Sequence, residues 1–319
     1  MSERRPILLL VNPISGGKIG SPGPLEADSE ALEPGALLAA LEAKGLDVTL
    51  RVLEAEDDPG KLAGDAALAG MDVVAAGGDG TVGPVAAALC GTEATLGIVA
   101  LGSWNNVAQA YRIPHELDSV VAAIGDGRGV SVDVGLAWHP ADDAPDDEEP
   151  PDDAIRFFEA AGVGLDAAWF GAAELGERHG WWRALRSIWR AMRRRRTGIR
   201  LVVDGRTLST AAPAVTVCNG PYMGMGFAIA PDADPADGRL NIVVFSGMTR
   251  FEVIRHYLSV ARRRPRREPR TRRLTGKRVT IAGTRRVLPA HADGRSVGTT
   301  PIRLAVDPGA LRIFRLHDD

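Results

Sequence analysis

The chain has 319 residues, 45% hydrophobic and 25% charged, and 38 Lys and Arg against 41 Asp and Glu leave a net charge of −3. That length exceeds the usual single-domain size and predicts two domains with full cores. No apolar run approaches the roughly 20 residues that cross a bilayer, and the two cysteines, Cys90 and Cys218, have no metal-site spacing and are expected as buried small hydrophobes in a reducing compartment.

From the N-terminus, a short charged stretch leads straight into a strand-like run, Ile7–Val11, without the apolar core of a signal peptide, which predicts a cytoplasmic protein. Residues 34–44 read as a helix, 48–53 as a strand, 61–69 as a helix and 71–76 as a strand. A glycine-rich stretch then precedes an Ala/Val-rich helix at 85–89, whose start is marked by Gly83-Pro84, with Pro at a first helical position. A strand at 96–101 and a helix at 117–125 follow. Alternating strands and helices predict parallel βαβ units with ligand off the carboxyl ends of the strands. Those ends carry Asn12-Pro13, residues 77–81 and residues 102–106.

The stretch Gly77-Gly78-Asp79-Gly80-Thr81 has the residue types of a phosphate turn. Glycine lets the backbone approach an anion closely, and the amides opening the next helix present the positive end of its dipole. Asp79 offers a carboxylate to a metal ion or its waters, and Thr81 a hydroxyl to a phosphate oxygen. Gly78-x-Gly80-x-x-Gly83 also satisfies a dinucleotide fingerprint, but the strand at 96–101 leads into Gly102-Ser103-Trp104-Asn105-Asn106 without the acid that would hold a ribose. Ser15-Gly16-Gly17-Lys18 lacks the upstream Gly and the Ser or Thr after Lys of a Walker loop.

Beyond Asp133 the texture changes to short alternating runs at 156–162, 199–203, 214–219, 240–245, 278–282 and 302–306, with Asp-Gly turns at Asp204, Asp237 and Asp293. This is a β-rich second domain with helical patterns at 181–196 and 251–261. Residues 141–153, ADDAPDDEEPPDD, are expected as a solvated, mobile insertion. Two basic blocks oppose it. Residues 183–200 combine arginines with neighbouring Trp181, Trp182 and Trp189, and 262–273 read as an exposed loop. A solvated surface, an anionic membrane and nucleic acid compete for these arginines; no nucleic-acid motif accompanies them, and the tryptophans favour lipid headgroups.

Val11-Asn12-Pro13-x-Ser15-Gly16, the 77–81 motif, Leu101-Gly102-Ser103-x-Asn105-Asn106-x-Ala108, Gly224-x-Gly226, Pro231-Asp232-Ala233 with Asp237-Gly238, Asp293-Gly294 and Pro308-Gly309-Ala310-Leu311 occur in this order. In that order they resemble the diacylglycerol-kinase-type lipid kinases, which include bacterial lipid kinases and sphingosine kinases. The resemblance covers essentially the whole chain. It implies an α/β fold: a Rossmann-like nucleotide-binding domain, residues 1–133 with the returning segment 308–319, and a sandwich-like lipid-binding domain, residues 134–307, with ATP and lipid meeting between them.

By the same resemblance, Asn12, Gly77, Gly78, Asp79, Gly80, Thr81, Val82 and Gly83 hold the phosphates of ATP, and Ser103 and Asn105 belong to the nucleotide motif. Asp79 and Asp133 organise magnesium, while Asp234, Asp237 and the Arg239 carbonyl form a separate metal position. Asp293 is drawn upon, with Asp79, for catalysis, as a proton acceptor for the lipid hydroxyl. The implied partners are a lipid alcohol and an anionic membrane surface at the inner face, not nucleic acid, with a second copy of the chain as a further candidate. The sequence departs from the family pattern at Arg295, where Asp-Gly-Glu is usual, at Asn106, where Asp is usual, and at Gly83-Pro84. His291, at strand spacing from Asp293, is an alternative proton acceptor. An active lipid kinase, a degenerate member that binds without turnover, and an NAD kinase therefore stay open.

Overall fold

The computed structural model describes residues 4–14, 33–141, 144–145, 148–165, 167, 197–224, 226–261 and 270–315. They fall into two compact units, Met1–Val132 with Gly309–Asp319, and Asp133–Pro308.

The first unit alternates strand and helix: β1 (Ile7–Val11), α1 (Pro34–Glu42), β2 (Val48–Val52), α2 (Pro59–Leu68), β3 (Asp72–Gly77), α3 (Asp79–Leu89), β4 (Thr95–Ala100), α4 (Asn106–Ala110) and α5 (Leu117–Asp126). Local chemistry sets several boundaries. Asp58 caps α2 by accepting from the Gly60 and Lys61 amides, with Pro59 preset behind it, and α5 stops at Gly127, whose φ of 70° is left-handed. β3 is buried along its whole length and β4 over all but its last residue, as parallel strands covered on both faces must be.

The strand order is β2-β1-β3-β4, all parallel. From β1 the chain runs outward to β2, and from β3 it runs the other way to β4. The neighbours β1 and β3 therefore bracket the point where the winding reverses, and their carboxyl ends deliver Asn12 and Gly77–Gly78 side by side, with the Asn12 amide donating to the Ala76 carbonyl at 2.9 Å.

The second unit is a β-sandwich with hairpin connections. Its strands are β5 (Gly129–Trp138, entering from the first unit), β6 (Ile155–Phe157), β7 (Ala160–Gly164), β8 (Thr197–Val203), β9 (Arg206–Ala212), β10 (Ala214–Cys218), β11 (Tyr222–Met223), β12 (Phe227–Ala228) and β13 (Leu240–Val244). After helix α6 (Arg250–Ala261) come β14 (Arg272–Gly276), β15 (Arg278–Gly283), β16 (Pro289–Ala292), β17 (Arg295–Thr299) and β18 (Ile302–Phe314). One layer runs β18-β15-β8-β9 and the other β14-β13-β10-β7-β16-β17.

Alternate residues of both layers, among them Ile199, Leu201, Val215, Val217, Ile242, Ile281 and Leu304, form one core. Each buries a branched side chain worth about 1.5–3 kcal/mol relative to exposure. The far face of the second layer is covered too, by Met223, Ile229, Phe245 and Val253 of α6, which is why β10 is buried at every position. The last residues of β18 pair with β4 in parallel, Arg312 against Thr95 and Ile313 against Leu96.

The structure corrects three local expectations. Helix α3 begins at Asp79, so Pro84 lies inside it. Gly78 is extended at the N-cap and its carbonyl takes both the Thr81 and Val82 amides at 2.9 Å, starting the helix five residues before the proline. The carbonyl that Pro84 cannot pair belongs to exposed Gly80, where water reaches it. A short helix, α4, follows the Gly102 loop where none was expected. Cys218 is buried, but Cys90 is only partly so.

The acidic insertion is anchored where it is described. Glu148 accepts from Arg303 Nη1 at 2.7 Å and Trp138 Nε1 at 3.2 Å, and Arg303 also donates to the Ala144 carbonyl at 3.0 Å. A guanidinium only 6% exposed has to be paired, and this stretch supplies the carboxylate. The basic helix at 181–196 and residues 262–269 lie outside the described residues, while Arg272 and Arg273 belong to β14 rather than to a loop.

Candidate functional site

In the first unit two glycine loops meet beside the reversal point, at the carboxyl ends of β3 and β4. A Cβ on Gly102 would lie 2.5 Å from the Gly78 Cα, and one on Gly78 would lie 3.0 Å from the Gly102 Cα. Only glycine at both positions permits that contact. A Cβ on Gly77 would press on Thr81 at 2.7 Å. The resulting surface is backbone, backed by the first amides of α3, which have no partner within the helix.

The other residues of this region hold the loops in place. Asn12 Nδ2 donates to Thr81 Oγ1 at 2.9 Å, and Asn12 Oδ1 accepts from the Ile14 amide at 3.1 Å. Thr81 is 3% exposed, so its hydroxyl faces Asn12 instead of standing free for a phosphate oxygen as expected. Val82 is buried as well, and Gly83 is partly covered. Asn105 is also buried, in a left-handed conformation with φ 51°, and clamps the Gly102 peptide from both sides, accepting from its N–H at 2.9 Å and donating to its C=O at 2.7 Å. Ser103 and Gly80 are exposed.

Asp79 turns toward α4. Its carboxylate accepts the Asn106 amide at 3.0 Å and the Val107 amide at 3.1 Å, capping that helix. Desolvation raises its pKa despite the opposing amides of Val107, Asn106 and Asn105. Asp79 thereby ties the β3 turn to the Gly102 loop.

In the second unit the sequence-derived acids gather at two places. Asp133, 4% exposed, accepts from the Gly238 amide at 2.6 Å, and its own amide donates to the Pro235 carbonyl at 2.7 Å. Asp234 accepts from the Ala236 amide at 3.1 Å and Asp237 from the Arg239 amide at 2.9 Å, so Arg239 joins this turn through its N–H. The Asp237 carboxyl is raised first by desolvation, with the charges of Asp234 and Asp133 adding to it.

Asp293 forms the other place. With Gly294 it makes a two-residue turn, both φ values positive at 44° and 75°, between β16 and β17. Its carboxylate accepts three backbone amides, Phe158 at 2.7 Å, Glu159 at 3.0 Å and Ala160 at 3.1 Å. Burial pushes it up to about 6 against those bonds and against nearby His291, which is 1% exposed within β16. Two residues here were missed in the sequence. Glu159 accepts from the Gly224 amide at 2.8 Å, and buried Asn219 donates to the carbonyls of Asp133 at 3.0 Å and Phe158 at 3.4 Å. The signal for Glu159 was a single acid within the otherwise apolar run 157–163.

Neither expected metal position, the magnesium pair Asp79 and Asp133 nor the separate position of Asp234, Asp237 and the Arg239 carbonyl, is assembled as a cluster of donors. Among the described residues no three or more His, Cys, Asp and Glu stand together to hold a metal ion, because each of these carboxylates is turned onto backbone amides. The donor set does not fit a protein-built metal centre.

Two family models match the chain: "Diacylglycerol kinase catalytic domain" over residues 6–137 and "YegS C-terminal NAD kinase beta sandwich-like domain" over residues 175–315. A diacylglycerol kinase of Mycobacterium tuberculosis is 27% identical over 290 residues, 87% of this chain and 88% of that protein. An uncharacterized protein of Synechocystis sp. is 29% identical over 76% of this chain, which spans only 54% of that relative. A probable YegS-like lipid kinase of Cronobacter sakazakii is 34% identical over 34% of this chain, corresponding to 37% of its own length. The crystal structure of a Bacillus anthracis diacylglycerol kinase superposes with a TM-score of 0.68 at 18% identity, covering 99% of this chain and 98% of that one, a likeness of fold. With the α/β unit and the sandwich each matched in turn, and the glycine loops, the Asp-Gly turns and the terminal strand in the family's order, the chain belongs to the diacylglycerol-kinase-type lipid kinase family.

Proposed function

We propose that this protein transfers the γ-phosphoryl group of ATP to the hydroxyl of a diacylglycerol-like or related lipid alcohol. The observation that carries this reading is the Gly78–Gly102 contact at the carboxyl ends of β3 and β4, next to the strand-order reversal, a close backbone surface backed by the N-terminus of an 11-residue helix. Backbone amides and a helix dipole suit the polyphosphate of a nucleotide, and positioning is most of what a phosphoryl-transfer enzyme supplies.

In this reading the exposed Gly80 and Ser103 meet the nucleotide, while Asn12, Thr81, Asn105 and Asp79 hold the two loops at fixed spacing. The sandwich unit receives the lipid and the departing proton. Magnesium belongs to the proposal only as the cation that accompanies the substrate nucleotide. Docking at the inner membrane face rests on the tryptophans and arginines of 181–196, and no described helix is long and apolar enough to cross a bilayer.

The test is transfer of label from γ-labelled ATP to vesicles containing diacylglycerol. Organic-soluble label is expected; none, under conditions where the protein binds ATP, would refute the reading.

A further inference from the structure

The glycine loops occupy the carboxyl ends of the parallel strands. At the amino ends, a β3 length or about 17 Å away, the first unit has a cavity of about 280 Å³. Arg4 and Arg5, which lead into β1, line it with Arg312, which pairs with Thr95 at the start of β4. Asp72 and Glu93 add carboxylates, and Ile124 and Phe314 an apolar side.

The arginines are only loosely engaged. Among the described residues neither Arg4 nor Arg5 is in an ion pair, and Arg312 reaches Glu93 at 4.0 Å with side chains 46% and 81% exposed, a pair worth little. Asp72 is held differently. It is 9% exposed, its Oδ1 accepts the Thr95 amide at 2.7 Å, and its Oδ2 has no hydrogen-bond partner among the described residues. Burial raises its carboxyl, against the Thr95 amide and the charges of Arg5 and Arg312, which places both guanidiniums within electrostatic reach of it.

Three guanidiniums around one cavity suit a phosphate, whose oxygens they can bind in bidentate pairs. A bare phosphate would meet Asp72 as a like charge. A phosphate that carries a hydroxyl makes the same carboxylate a partner, because a buried acceptor with an unused oxygen is satisfied by a donor from the ligand. We propose that this cavity binds a phosphorylated small polyol, with its phosphate on Arg4, Arg5 and Arg312 and a hydroxyl donating to Asp72. Phosphoglycerol, free or as a lipid headgroup, has both groups at a size that fits a cavity at the small end of ligand pockets. The site lies within the first unit, apart from the glycine loops, and is independent of the kinase reading.

The test is calorimetric titration of the full chain at physiological salt with glycerol 3-phosphate, propyl phosphate, sulfate and short-chain phosphatidylglycerol below its micelle concentration. Glycerol 3-phosphate or the phosphatidylglycerol should bind at least about tenfold tighter than propyl phosphate, which lacks the hydroxyls, and than sulfate. The tighter of the two identifies the source as free metabolite or lipid headgroup. Arg5→Gln and Arg312→Gln should each weaken binding by about tenfold or more. Asp72→Asn keeps an oxygen for the Thr95 amide and should abolish the preference over propyl phosphate. Saturating ATP should leave binding in place. No binding at millimolar ligand, equal affinity for sulfate, affinity that survives both arginine substitutions, or displacement by ATP would each overturn the proposal. If Asp72→Asn fails to fold, the wild-type comparison with propyl phosphate decides the part of the hydroxyl, and equal affinity there overturns the proposal as well.

Discussion

Asp293 gives the account a pH signature. Its carboxyl has a folded value of about 6 against an ordinary 3.8, because burial outweighs the three amides that hold it. A raised acid binds its proton more tightly in the folded protein, so its stabilising contribution is present at low pH and is lost as pH rises through about 6. Integrating between about pH 4.5 and 7.5, wild type should lose about 2 kcal/mol relative to a variant without this titration. Asp293→Asn is that variant, because its amide oxygen can still accept from Glu159 and Ala160. For a unit of this size the loss corresponds to about 4–8 °C. The assay is thermal unfolding of both proteins across that range, plotted as the difference in Tm. A flat difference would refute the reasoning, and a difference moving in wild type's favour with rising pH would show that the amides, not burial, dominate.

The remaining predictions concern packing and loops. Glu148→Ala should cost about 3–5 kcal/mol in urea unfolding, since it strands the buried Arg303 guanidinium. Glu149→Ala removes only the exposed pair with Arg278 and should cost under about 1 kcal/mol; equal losses would contradict the distinction. Gly102→Ala places a Cβ 2.5 Å from the Gly78 Cα and 2.8 Å from Asn105 Oδ1, so it should weaken ATP binding by about tenfold or more in calorimetric titration. Unchanged affinity would mean that the loop contact is not part of the nucleotide site.

What was legible in the sequence was local. Apolar runs ending in glycine marked β3 and β4, and strand–helix alternation followed by Asp-Gly hairpins separated the α/β unit from the sandwich. Asp204-Gly205 and Asp293-Gly294 form the two-residue turns that such pairs favour, with positive φ at all four residues. What was illegible depended on distant partners. Asp79 reads as a ligand until it is seen to cap a helix 27 residues on, and Asp293 reads as a base until its bonds to amides 133–135 residues earlier appear. Glu148 lay in a segment whose composition spoke for solvent, yet it answers a buried arginine 155 residues away. Pro84 marked a helix start for the same reason, since propensity could not register that Gly78 had already opened α3.

The central claim, that nucleotide binds at the two-glycine contact, is tested most directly by hydrogen–deuterium exchange with and without ATP. The account predicts protection in peptides covering 77–83 and 101–107, with the amides of Asp79 and Gly80 among those slowed. Protection confined to other segments, with exchange in these two unchanged, would contradict it.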